Sequence, residues 1–307
     1  MNLTVEEAYK SYESYYKTRS KLRSIDVISS VFRLYILTYF KNRKMCDISK
    51  IEILNFEINF LDKQKISYSY KKIIYNHLAT FFNYCKKYLD LEKNVVSETG
   101  FILKNKTENK KIEVWTYNEF KRFIKKVDHK VYKYFFDFLF FTGCREGEAI
   151  ALTFKNINKG IISIERTKIK GNRGFNSPKT KESIRKFKID LKLRIEIYLL
   201  KKLYKKQFGY FDIDFYIFGG AKSLAPTTIE RYKNNACKKA NVKQIRIHDF
   251  RHSHITMLLS KGVPITAICE RVGHKDISTT LNVYSHVLKQ DNKKLINSLN
   301  LLRFSIF

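Results

Sequence analysis

The chain has 307 residues, of which 44% are hydrophobic and 15% aromatic, so it is too apolar for a disordered chain and long enough for two domains. It has no apolar run near the roughly 20 residues that span a bilayer and no CxxC pair among its five cysteines, so we expect a cytoplasmic protein without a membrane span, disulfide framework or zinc ribbon. Sixty Lys and Arg against 29 Asp and Glu give a formal charge of +31, which favours a polyanionic partner such as nucleic acid, although an AT-rich genome alone also enriches lysine.

Helices are predicted throughout the first third of the chain. Thr4 and Glu7 form a capping-box signature at the start of the first helix. A second helix is predicted over residues 24–40, and its apolar side is formed by Val27, Val31, Leu34 and Tyr35. Two more are predicted over residues 49–60 and 67–89. The apolar positions of the last helix, which we predict to be buried in the core, are Ile73, Ile74, Leu78, Phe81, Phe82 and Cys85.

The helical periodicity lapses between residues 91 and 111, where the sequence becomes polar and charged with one glycine. We therefore predict a helical domain over residues 1–95, a linker over 96–112 and a second domain over 113–307. Because the capping box lies at the start of the chain, we expect no additional domain ahead of the first.

The second domain is predicted to be mainly helical with a small antiparallel sheet. Thr116 and Glu119 form another capping box, and an apolar helix follows up to the Thr142-Gly143 break. The period then changes to that of strands in GIISIERTKI and ESIRKFKI, which are joined by a turn-rich segment. Further helices are predicted over residues 191–206, 227–240, 249–260 and 265–272.

Two segments of this domain carry isolated candidates for chemistry. In TGCREGEAIAL, Arg145 and Glu148 are three residues apart and share a helix face, so the carboxylate can orient the guanidinium. An ordinary surface ion pair explains the same spacing. Lys179 lies in the turn between the predicted strands, where it could enter a groove or remain a solvated lysine.

The richest segment spans residues 248–286. His248 and Arg251 are three residues apart at a helix start, His274 follows a glycine turn, and Tyr284 comes ten residues later. This combination places one guanidinium, two imidazoles and a phenol within one segment of the chain.

The same segment also raises the possibility of a metal site. His248 and His252 have the i, i+4 spacing of zinc ligands. The glutamate of an HExxH motif is missing, and Arg251 would place a fixed positive charge beside the ion. We therefore predict no metal.

With these residues in this order, the chain resembles the tyrosine recombinase, or phage integrase, family, which includes lambda integrase, Cre and the Xer enzymes. The match covers residues 142–286, whereas the N-terminal half matches only by position and helical character, which implies a SAM-like core-binding domain. The matched motifs are Thr142-Gly143-Cys144-Arg145 with Glu148, Lys179, His248-x-x-Arg251, Val272-Gly273-His274 in place of Leu-Gly-His, and Tyr284-Ser285-His286.

The resemblance implies a site-specific recombinase that cleaves and rejoins DNA through a 3′-phosphotyrosine intermediate. Arg145 and Arg251 would clamp the non-bridging phosphate oxygens, for which planar and permanently charged guanidiniums are well suited, and Glu148 would support Arg145. Tyr284 would attack phosphorus. The link to the protein keeps the ester bond energy, so neither ATP nor a metal cofactor is expected, and no P-loop motif is present.

The remaining motif residues would move protons and bind the phosphate. Lys179 would protonate the leaving 5′-oxygen, His248 would assist proton transfer, and His274 would donate a hydrogen bond to the phosphate.

The implied partner is double-stranded DNA, held between two basic domains. The family also implies a tetramer on DNA, assembled through an apolar tail, and accessory DNA-bending or directionality factors. Those tail residues are Leu288, Leu295, Ile296, Leu299 and Leu302. Integration or excision of a mobile element and Xer-type resolution both stay open, and a non-catalytic DNA-binding relative and a type IB topoisomerase are the alternatives from other classes.

Overall fold

The computed structural model divides the chain into two compact units, residues 1–110 and 111–307. It describes residues 2–20, 22–105, 113–168, 174–176 and 184–274. None of the helices within these ranges is long and apolar enough to cross a bilayer.

The elements described in the N-terminal unit are helices, joined in two places by wider π-helical turns. The α-helices are α1 Val5–Arg19, α2 Leu22–Val31, α3 Leu37–Phe40, α4 Lys50–Asn55, α5 Tyr68–Tyr88 and α6 Val95–Thr99. The π-helical turns are Phe32–Ile36, between α2 and α3, and Phe56–Leu61, after α4. The capping box predicted at the start of α1 is present, since the backbone N–H of Thr4 donates to Glu7 Oε2 at 2.8 Å.

The apolar side predicted for residues 24–40 is wrong at Val27 and Leu34, which are exposed. The prediction holds at Val31, which is buried, and at Tyr35, which packs against the core. The other buried positions of this segment are Ile28, Phe32, Ile36 and Phe40. The π-helical turn Phe32–Ile36 has more residues per turn than an α-helix, so side chains four apart stay on one face where a straight α-helix would rotate them away. The predicted burial of Ile73 is also wrong, because that side chain points to solvent beside buried Ile74.

The beginning of segment 96–112, predicted to be a linker, is folded onto the N-terminal unit. Val96 of α6 is fully buried, and its carbonyl accepts a hydrogen bond from the hydroxyl of Tyr75. The backbone N–H of Ile102 donates to Glu57 Oε2 at 3.0 Å. Burial raises the pKa of the Glu57 carboxyl. The buried carboxyl of Glu57 therefore holds the segment that follows α6 against the N-terminal unit at Ile102.

The C-terminal unit surrounds a small antiparallel sheet with helices. Its helices are α7 Tyr117–Lys125, α8 Lys130–Thr142, α9 Glu146–Ala151, α10 Leu191–Phe208, α11 Pro226–Ala240, α12 Asp249–Ser260 and α13 Ile265–Val272. Its strands are β1 Ile157–Asn158, β2 Ile161–Ile164, β3 Thr167–Lys168, β4 Phe175–Asn176 and β5 Arg185–Lys188. The three-stranded sheet has the order β1-β2-β5, and β3 pairs with β4. The predicted fold class, mainly helical with a small antiparallel sheet, is confirmed.

Aromatic packing fixes helix α12 within this unit. The ring of Trp115 lies 5.1 Å from the ring of Phe250, measured between centroids, and its indole N–H donates to the carbonyl of Lys243 at 2.9 Å. The backbone N–H of Trp115 donates to Ser253 Oγ at 2.9 Å. These contacts hold the start of the unit against α12, which also packs on the buried helix α8.

Candidate active site

Helix α9 begins with the arginine turn predicted from the sequence. Gly143 ends α8 in the left-handed region (φ +66°), and a Cβ there would lie 2.7 Å from His254 Cδ2, so this turn requires glycine. Arg145 is the N-cap of α9. Its backbone N–H donates to Glu148 Oε2 at 2.9 Å and its Nη1 to Glu148 Oε1 at 2.8 Å. The carboxylate thus holds both ends of Arg145, as the i, i+3 spacing predicts.

Arg251 lies in the first turn of α12 and is only 1% exposed. Its Nη1 donates to the carbonyls of Gly143, at 2.9 Å, and Val272, at 2.7 Å. Nη2 has no acceptor within the part of the chain that the structure describes. Burial, followed by the charge of Arg145, lowers the pKa of Arg251 to about 9, which leaves it charged at neutral pH.

Arg145 also contacts the C-terminal end of α13. Its Nη2 donates to the carbonyl of Gly273 at 3.3 Å. Two guanidiniums are therefore attached to consecutive carbonyls, those of Val272 and Gly273, at the end of α13.

His248 and His274 complete this group. His248 precedes α12, and His274 follows Gly273, which ends α13 in the left-handed region. Desolvation and then the charge of Arg251 lower the pKa of both imidazoles, that of His274 to about 4. Both rings are neutral at pH 7, so each can donate one hydrogen bond and accept another.

Sequence reasoning missed one functional side chain in this group. Arg185 on β5 is buried and donates to Glu148 from Nη1, at 3.2 Å, and from Nη2, at 3.0 Å. Burial opposes ionisation of Glu148, but Arg185 and then Arg145 outweigh it and lower the pKa of this carboxyl. The available signal was the alternation of the strand, which places Arg185 on the same face as Phe187, two residues later; its partner Glu148 could not be identified from that alternation.

Five of the predicted site residues are thus brought together. They are Arg145, Glu148, His248, Arg251 and His274. Lys179 and Tyr284 lie outside the described residues, as do the apolar positions of the predicted tail.

The histidine pair weighed as zinc ligands lies at the edge of this group. The rings of His248 and His252 are 5.1 Å apart between centroids. Among the residues that the structure describes, no three His, Cys, Asp or Glu side chains are close enough to hold a metal ion.

Comparison with known proteins identifies the family. Residues 113–291 match the Phage integrase family, and residues 4–61 match the phage integrase N-terminal SAM-like domain. The chain belongs to the phage integrase family. The family predicted from the motifs is confirmed, and with it the enzyme class, a tyrosine-type site-specific DNA recombinase.

Individual relatives agree. The chain is 34% identical over 202 residues to the ICEBs1 integrase of Bacillus subtilis, an alignment covering 62% of this chain and 55% of that protein. It is 30% identical over 286 residues to a XerC-like tyrosine recombinase of Caldanaerobacter subterraneus, covering 84% of this chain and 72% of that one.

Solved structures show the same fold. The Tn1549 transposon integrase in complex with transposon right end DNA aligns with a TM-score of 0.74 at 18% identity, over 96% of this chain and 100% of that chain. A lambda integrase dimer bound to a COC′ core site aligns with a TM-score of 0.69 at 15% identity, over 90% of this chain and 97% of that chain.

Proposed function

We propose that this protein cleaves and rejoins duplex DNA at specific sites through a 3′-phosphotyrosine intermediate formed by Tyr284. The observation that carries the proposal is the attachment of Arg145 and Arg251 to consecutive carbonyls at the end of α13. Together they supply two positive charges beside one ionised carboxylate, Glu148, so the group has an excess charge that a phosphodiester would neutralise.

The reaction is a transesterification. The phenol oxygen of Tyr284 attacks phosphorus, a 3′-phosphotyrosine bond forms, and the bond to the 5′-oxygen breaks. Lys179 gives a proton to that oxygen. Arg145 and Arg251 hold the two non-bridging oxygens and stabilise the charge that develops on them. Rejoining is the reverse reaction, with the 5′-hydroxyl of the new partner strand as nucleophile.

The neutral imidazoles supply the remaining contacts. His274 donates a hydrogen bond to the phosphate. His248 assists proton transfer by accepting the phenol proton of Tyr284 as the bond to phosphorus forms. The low pKa of His274, about 4, keeps its ring from adding a further charge beside the two guanidiniums.

The substrate and assembly follow from the charge and the two units. We assign residues 1–105 to core binding and residues 113–307 to catalysis, with both units on the same duplex in the cytoplasm. The +31 charge supports binding to DNA phosphates. The apolar tail that follows Tyr284 would dock on a neighbouring protomer in a tetramer, and DNA-bending or directionality factors would choose the outcome. Integration or excision of a mobile element and Xer-type resolution share this chemistry.

Trapping the covalent intermediate tests the proposal. The substrates are duplexes with the sequence that the protein selects from a randomised pool. Each duplex carries a nick close to the cleavage site, so the short fragment released by cleavage diffuses away and the covalent adduct accumulates. We expect a protein-DNA adduct with the wild type and with the control Tyr198→Phe, an exposed tyrosine on α10, and none with Tyr284→Phe. An adduct in Tyr284→Phe would refute this nucleophile, and no adduct in the wild type would refute the cleavage chemistry.

A plasmid with two selected sites separates recombination from relaxation by a topoisomerase. Recombination changes the connectivity of the DNA, which restriction mapping detects, whereas a type IB topoisomerase changes only the supercoiling. Unchanged connectivity with complete relaxation would favour the topoisomerase.

A further inference from the structure

Arg185 occupies a junction between three elements of the C-terminal unit. It is the first residue of β5, and its side chain is buried. Its Nε donates to the carbonyl of Arg271, in the last turn of α13, at 2.8 Å. Its two terminal nitrogens donate to Glu148 of α9. Its Nη2 also lies 3.7 Å from Sγ of Cys144, in the turn before α9.

Glu148 is held symmetrically by two arginines. Oε1 accepts from Nη1 of Arg145 and Nη1 of Arg185, and Oε2 accepts from the backbone N–H of Arg145 and Nη2 of Arg185. A guanidinium that donates to both oxygens fixes the plane of a carboxylate as well as its position. The plane of Glu148 in turn sets the direction in which Arg145 points.

The two arginines differ in access to solvent. The side chain of Arg145 is 37% exposed, so a phosphate can reach it, whereas that of Arg185 is 6% exposed. Its hydrogen bonds to Arg271 and Glu148 link it to other residues of the same unit. Arg185 is therefore placed to act through other groups.

We propose that Arg185 is a positioning residue of the cleavage reaction: it orients Arg145 through Glu148 and fixes the end of α13 that leads to His274. The inference rests on the proposed function. It predicts that removing the fork of hydrogen bonds slows the chemical step. DNA affinity should stay within about threefold of the wild type, because the side chain of Arg185 is buried.

Four variants test this role. Arg185→Gln removes the charge and the fork, Arg185→Lys keeps the charge but cannot span both oxygens, and Glu148→Gln and the Arg185→Gln/Glu148→Gln double variant remove the carboxylate. Lys186→Gln, at the next and exposed position of β5, is the matched control for losing one positive charge. Single-turnover cleavage is measured on nicked duplex at saturating DNA.

The expected rates follow from geometry. A displacement of reacting groups by about 1 Å can cost on the order of 100-fold. We expect a loss of that order in Arg185→Gln, a smaller loss in Arg185→Lys, and a near wild-type rate in Lys186→Gln. The loss in the double variant should be smaller than the product of the two single losses, because Arg185 and Glu148 act in part through the hydrogen bonds that they share.

The pH profile gives a readout that a merely structural role would not move. Burial favours the protonated form of Glu148, and Arg185 contributes most to opposing it. In Arg185→Gln the cleavage rate should therefore fall as the pH is lowered from neutral, more steeply than in the wild type. The double variant, which has no carboxyl at this position, should lack the additional fall.

Thermal unfolding in sulfate provides a readout without catalysis. Sulfate, as a phosphate mimic, should raise the unfolding temperature of the wild type more than that of Arg185→Gln, because a misdirected Arg145 binds the anion less well. Wild-type cleavage rates and sulfate shifts in both Arg185 variants would overturn the positioning role. If Arg185→Gln does not fold, Arg185→Lys decides by the same two measurements. Failure of the wild type to form an adduct refutes the proposed function, and equal sulfate shifts would then still refute this inference.

Discussion

Arg251 donates through Nη1 to the carbonyl of Val272 at 2.7 Å, two residues before His274. This hydrogen bond joins α12 to the end of α13 and leaves Nη2 without an acceptor in the described ranges. A buried cation whose hydrogen-bonding capacity is incompletely used reduces the stability of the free protein, and an anion that binds there restores it.

The first prediction concerns this anion. Sulfate should raise the unfolding temperature of the wild type above its value in sodium chloride of equal ionic strength, because a ligand at 100 times its Kd adds about 2.7 kcal/mol to the free energy of unfolding. Scanning fluorimetry measures the shift. Arg251→Met should show only the general stabilisation that sulfate gives to any protein. Equal sulfate shifts in the two proteins would mean that Arg251 binds no anion.

The second prediction concerns Gly143, whose carbonyl accepts from Arg251. Gly143→Ala places a Cβ 2.7 Å from His254 Cδ2 and 3.0 Å from Val272 Cγ1, in a left-handed conformation. Gly262 is the matched control, with φ +75° and no atom within 4 Å of the added Cβ. The left-handed conformation alone costs roughly 1–2 kcal/mol, and we expect at least about 1 kcal/mol more for Gly143→Ala from overpacking. Urea denaturation measures both; equal losses would show that His254 moves aside freely.

The third prediction concerns acid stability. Burial and then the charge of Arg271 lower the pKa of His254 to about 3. The Nδ1 atom of the ring forms a hydrogen bond of 2.8 Å with the carbonyl oxygen of Phe140. The unfolded chain, with an ordinary histidine pKa of about 6.5, binds the proton more readily. The stability that depends on neutral His254 is therefore complete above about pH 6.5 and falls as the pH drops towards 3.

His254→Asn isolates this contribution. The amide can donate to the same carbonyl but does not titrate. The free energy of unfolding is measured by urea denaturation between pH 7 and pH 4.5. It should fall less steeply with decreasing pH in the variant than in the wild type, and the two slopes should differ by up to about 1.4 kcal/mol per pH unit. Parallel curves for the two proteins would show that His254 is not the group that takes up the proton.

The fourth prediction compares two adjacent residues of α5. Ile74 is fully buried and Ile73 is 41% exposed. Ile74→Ala should destabilise the N-terminal unit by about 2–5 kcal/mol, whereas Ile73→Ala should cost less than about 1 kcal/mol. Chemical denaturation monitored separately for that unit provides the values. Similar costs would indicate that the exposed face of α5 is covered in solution.

Sequence patterns predicted the features of this fold that depend on near neighbours. The capping boxes of Thr4 and Thr116 and the pairing of β2 with β5 follow from local spacing, and all three are present. The buried face of residues 24–40 was predicted only in part, because a fixed angle per residue does not describe a helix that contains a π-helical turn. Helix Val95–Thr99 escaped prediction because its polar composition resembles a linker.

The same distinction applies to the candidate site. The bond between Arg145 and Glu148 is predictable because the two residues are three apart on one helix. Arg185 is separated from Glu148 by 37 positions, and a charged residue in a short strand ordinarily faces water, so only the folded chain shows that both meet. The meeting of Arg251 with the end of α13 likewise requires the tertiary packing of two helices, and the family motif anticipated it where periodicity could not.

Trp115 connects the first residues of the C-terminal unit to helix α12. Its backbone bonds Ser253, two residues beyond Arg251, and its ring packs on Phe250, the residue before Arg251. A pull on the chain at the start of this unit must either break these contacts or shift the helix that carries the buried guanidinium. Tension that arrives along the polypeptide is thereby transmitted to helix α12 and to Arg251.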